Sequence, residues 1–95
     1  MSDAALRDRL LAIQRRLEAG LADADPHRRL LGRPVSYQVI AGQTFEITYR
    51  DVTRIDETEV RGVIRLIGEN CHWSVTPQGL ETITVRFVVP IREGA

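Results

Sequence analysis

Cys71 and His72 are neighbours, and a thiol beside an imidazole is the constellation in this chain closest to a catalytic pair. A nucleophilic thiolate needs a base within hydrogen-bond reach, a third group to orient that base, and donors for the oxyanion. Adjacent residues of a strand point to opposite faces. A strand over residues 71–76 therefore separates Cys71 from His72, and the thiol beside Trp73 reads as core filling. All 13 basic residues are Arg. GC-rich codon usage is one reading of that and selection for Arg's planar fork, which grips carboxylates and phosphates, the other; under both, no side chain here can form a Schiff base or act as a lysine base. With one Cys and two His, the chain has no internal disulfide and no Cys-rich zinc or iron–sulfur site. The acidic run 56–59, with Asp51 nearby, offers oxygens to a divalent cation but lacks the alternating acids and glycine of a calcium loop. It reads as a solvated hairpin turn. No phosphate loop, nucleophile elbow or dinucleotide fingerprint occurs. No cofactor, metal or catalytic residue is expected.

Two groups of residues suggest binding instead. Arg50, Arg61, Arg65 and Arg86 fall on polar positions of expected strands, and His72 joins them. If aligned, they form a basic stripe suited to phosphates or a partner's carboxylates. Against this, the rings of Tyr37, Phe45, Tyr49, Trp73 and Phe87 all read as inward, so the stripe lacks the stacking platforms of single-strand binders. The second group is Val63, Ile67 and Val88, apolar residues on the expected outer face of the sheet, with Leu11 beside the main stripe of the first helix. A sheet apolar on both sides is usually covered on both, so these four are the expected interface.

The elements that position these residues divide near Pro34. Leu6, Leu10, Ile13 and Leu17 recur at steps of four, three and four, one face of an amphipathic helix. Ser2 or Asp3 caps it, and Gly20 frays or ends it. Asp25-Pro26 reads as a cap and first helical residue, with Gly32 and Pro34 closing a second, very short helix. Beyond residue 34 the spacing is mostly two. Strands are expected at 35–40, 44–52, 60–67, 71–76 and 81–89, separated by Gly- or Pro-containing turns. Short connections force antiparallel neighbours. The reading is a single α+β domain over 1–95. It comprises a helical part at 1–34, a four- to five-stranded antiparallel meander at 35–91 as an open sheet or small bent barrel, and a tail at 92–95.

At 95 residues the chain has a small core, and its net charge of zero offers no polybasic or polyacidic tail. Residues 1–34 hold seven Arg and five acids, and residues 35–95 six Arg and eight acids. No apolar run is long enough to cross a membrane, and the acid-containing start is not a secretory signal, so a cytoplasmic protein or particle subunit is expected. A helix followed by five short antiparallel strands resembles, in layout, the Sm-like small barrels, and the same layout occurs in small phage-tail subunits. That resemblance implies a ring and, in the Sm-like case, RNA. The sequence thus points to a small non-enzymatic assembly subunit whose partner is itself or another protein. A nucleic-acid-binding small barrel is the alternative, and a thiol enzyme at Cys71 ranks third.

Overall fold

The computed structural model describes residues 3–23 and 34–91, with side chains described for 4–20 and 34–91. The element order is α1 (Asp3–Asp23), β1 (Ser36–Ile40), β2 (Thr44–Val52), α2 (Glu57–Ile67), β3 (His72–Pro77) and β4 (Ile83–Pro90). The fold is α+β, with a four-stranded, fully antiparallel open sheet in the order β1-β2-β4-β3. It is not a simple meander, because β4 inserts between β2 and β3. The expected short helix at 25–33, the cap at Ser2 or Asp3 and the tail at 92–95 fall outside the described residues or side chains.

Segment 60–67, expected as a strand, is instead α2. Its limits are set by local chemistry. The Asp56 side chain accepts from the Thr58 N–H at 2.7 Å, satisfying a donor left free by the first turn. Glu57 and Glu59 suit the positive end of the helix dipole, and Arg65 its negative end. Gly68 closes the helix at φ 72°, a left-handed cap where a side chain is costly, and its N–H bonds Ile64 O at 3.2 Å. Val60, Val63 and Ile67 follow helical spacing and are buried. The acidic run 56–59 is therefore a cap and first helical turn, not a hairpin.

Both helices pack on one sheet face. There Phe45, Ile47 and Tyr49 of β2 face Val89, Phe87 and Val85 of β4 across the ladder. Leu6, Ile13 and Leu17 of α1 and the buried stripe of α2 complete the core. Tyr49 and Phe87 meet edge to face, with ring centroids 5.7 Å apart. Gly20 lies inside α1 rather than ending it. A Cβ there would approach Leu66 Cδ1 to 2.4 Å, so glycine permits the close approach of α2. Arg16 donates to Leu66 O at 3.0 Å and Ile67 O at 2.6 Å, placing a cation and two donors on the orphan carbonyls of α2. Arg9 pairs with Glu69 and lies over the Phe45 ring at 5.4 Å.

Candidate interaction surface

The helices cover the middle of the sheet, with α1 reaching β1, and leave the β3 edge open. Along β3 the register places Trp73 beside Phe87 and Val75 beside Val85, on the helix-bearing face. Phe87 and Val85 are fully buried, yet Trp73 is 46 % exposed and Val75 42 %. All six residues of β3 are exposed. None of them is Asp, Glu, Lys or Arg, the residues that commonly guard an edge against strand addition. Leu80, in the turn between β3 and β4, is also fully exposed. Leu11 is exposed on α1.

Two backbone bonds define what this edge offers. Ile91 N–H donates to Gln43 O at 2.8 Å, extending the β2–β4 register by one position, and Gln78 N–H donates to Thr82 O at 3.1 Å, extending the β3–β4 register likewise. Facing residues of an antiparallel ladder alternate between exchanging both bonds and exchanging none. Odd-numbered residues of β4 therefore bond β2, and even-numbered ones bond β3. In β3, His72, Ser74 and Thr76 direct their backbone groups to β4. Trp73 and Val75 direct theirs outward, where no described strand pairs with them. The same backbone that carries the exposed apolar side chains carries unspent donors and acceptors.

The opposite sheet face is polar. Rows Ser36–Thr48–Arg86–Ser74 and Gln38–Glu46–Val88–His72 cross it. A groove of about 800 Å³ lies over this face, lined in part by Glu46, Thr48, Arg50, Thr84 and Arg86. Arg86 is 3.4 Å from Glu46 and donates to Thr76 at 3.2 Å. At the rim, a register shift between Tyr49 and Val52 puts Asp51 at φ 58°. Gln78 holds that bulge: its Oε1 accepts from Asp51 N–H at 2.8 Å and from the Thr84 hydroxyl at 3.0 Å, and its amide donates to the Asp51 carboxylate.

The residues expected to form sites are scattered. Val63 and Ile67, expected on an outer interface, are fully buried because a helix turns them inward. Val88 is half-buried on the polar face, so the four expected interface residues form no patch. Arg61 and Arg65 project from α2, with Arg61 paired to Glu57 at 2.7 Å. Of these residues only Arg50, Arg86 and His72 share the open sheet face, where Glu46 and Asp51 offset the charge of the two arginines. The expected basic stripe is not assembled. Cys71 is half-buried against the core just before β3, and burial pushes its thiol above the ordinary range, away from thiolate reactivity. It lines a second hollow of about 590 Å³ with His72, Arg9 and Glu69, in which Arg9 and Glu69 are spent on each other. Burial likewise raises Tyr49, helped by Tyr37. Among the described residues no three His, Cys, Asp or Glu side chains gather as metal ligands, and no helix is long and apolar enough to cross a membrane.

Alternation turns Trp73 and Val75 inward and counts them with the core; pairing through an edge strand is expected from the sequence, but not which strand is exposed. A weak signal is present: β3 is short, uncharged and ends in Pro77. Comparison with known family models, curated proteins and solved structures finds no match to this chain.

Proposed function

We propose that this chain is a non-enzymatic assembly subunit whose copies join by strand addition along the β3 edge. The observation that carries the reading is the coincidence at one edge of exposed Trp73 and Val75 with outward-facing backbone donors and acceptors. Strand addition uses both at once: the ladder supplies affinity through main-chain bonds, and alternate side chains supply specificity. Tryptophan in a partly desolvated setting is also the residue type most enriched among interface hot spots. The nucleic-acid reading has less support, because Arg61 and Arg65 project from α2 while Arg50 and Arg86 lie on the sheet. Light scattering over a dilution series tests the proposal. A mass above one chain at high micromolar concentration, lowered by Trp73→Thr, is expected. A mass of one chain throughout overturns it.

A further inference from the structure

We infer that the strand added to β3 is β3 of a second copy, antiparallel and related by a two-fold axis through Ser74. This rests on the strand-addition reading above and specifies its occupant and register. A two-fold axis perpendicular to the sheet keeps each face continuous, so facing residues must share a face. That parity admits axes through single residues and rejects axes between them. With the axis at Ser74, Trp73 faces Val75 of the second copy and Val75 faces its Trp73. Both are residues whose backbone groups point outward, so each of these pairs exchanges two hydrogen bonds. Pro77, which has no N–H to contribute, then faces residue 71 of the other copy at the outer end of the seam, where it accepts one bond and the one it cannot donate is lost outside the apolar core. An axis at Val75 would instead set Pro77 opposite Trp73 and lose a donor within the apolar core of the interface.

On the polar face, His72 faces Thr76 of the second copy, and no charged side chain of β3 enters the seam. The result is a continuous eight-stranded antiparallel sheet with the helices of both copies on one side. The β1 edge is the competing occupant. Its outward backbone groups belong to Tyr37 and Val39, and it too lacks charge. However, α1 packs against β1, whereas β3 is exposed along its whole length. Pairing β3 with β1 of another copy would leave an unused β3 at one end and an unused β1 at the other, the same complementary pair again, so growth would not stop at two, whereas β3–β3 pairing uses both β3 edges.

Cysteine cross-linking decides the register. Ser74 faces itself in a pair without hydrogen bonds, where Cα atoms stand about 4.5 Å apart, inside the range of roughly 4.4–6.8 Å that a disulfide spans. Thr76 and its symmetry mate are displaced by four residues, about 14 Å along the strand. In a Cys71→Ala background, Ser74→Cys should form a covalent dimer under mild oxidation at concentrations where the protein associates, and Thr76→Cys should not. Light scattering of both variants before oxidation reports association, and circular dichroism reports the fold. Association limited to two chains, with cross-linking at 74 alone, supports the two-fold. Association without cross-linking at 74, equal cross-linking at 76, or a mass growing past two chains overturns the two-fold, and the Trp73→Thr variant then tells whether the β3 edge is still the contact. A mass of one chain under all conditions overturns the strand-addition reading itself.

Discussion

Replacing Trp73 by Thr should separate association from folding. Thr keeps a β-branched side chain suited to a strand, and the position is 46 % exposed, so little of the chain's own core is lost. A Trp side chain contributes up to about 250 Å², so the exposed share is roughly 110 Å² in each copy. At about 25 cal/mol per Å² that area is worth about 3 kcal/mol, or about 6 kcal/mol for two copies, as an upper bound. Ordering each side chain costs about 0.5–1.5 kcal/mol, and burial at an edge is incomplete. A net loss near 3 kcal/mol is about a hundredfold in the association constant. Sedimentation equilibrium of the native and substituted chains measures that ratio directly. Urea unfolding, followed by circular dichroism because the only tryptophan has been removed, should show a change in single-chain stability of less than about 1 kcal/mol. An association constant altered less than threefold with the fold intact would refute the reasoning. So would a variant that unfolds, because Trp73 would then be core rather than interface.

Ile67→Ala should cost about 2–5 kcal/mol of folding stability by urea titration, as a buried methylene deletion does, and should affect association only through folding. Gly68→Ala should destabilise by ~1–2 kcal/mol, because φ 72° is a left-handed conformation, whereas Asp56→Ala should cost about 1 kcal/mol through loss of the N-cap. Burial raises the Cys71 pKa, so the thiol stays protonated to higher pH in the folded chain than in the unfolded one. Alkylation of the native protein should therefore lag behind that of the urea-unfolded chain throughout the pH range below the raised pKa, as mass spectrometry of quenched samples would show. Since the thiolate forms more readily in the unfolded chain, Cys71 contributes stability that declines as pH rises from the ordinary thiol pKa through the raised one.

Much of the fold was legible because one face of each element is buried by a partner of matching period. The 4-3-4 spacing of Leu6, Leu10, Ile13 and Leu17 specified α1, and alternation about Phe45, Ile47 and Tyr49 specified β2. The segment 60–67 misled because Val60, Gly62, Ile64 and Leu66 alternate as well as any strand. Its other apolar residues, Val63 and Ile67, looked misplaced under a period of two and fall into register with Val60 under 3.6. Asp56 before the run and Gly68 after it were the cap signals that decide the ambiguity. That one segment also carried two of the four expected interface residues and two of the four expected arginines, so reading it as a strand dispersed both candidate sites. The exposure of Trp73 and Val75 was not legible for a different reason. Alternation tells which face a side chain takes, but whether that face is covered depends on where the helices end, a tertiary property that no local period encodes.

Trp73 is the chain's only tryptophan and sits within the proposed seam. Its emission therefore reports on that seam without interference. Recorded over a dilution series with acrylamide present, emission should shift to the blue and quenching should weaken as concentration rises, both following the same association curve as the measured mass. An emission maximum and quenching constant that stay unchanged while the mass increases would place the contact elsewhere and contradict the β3 edge.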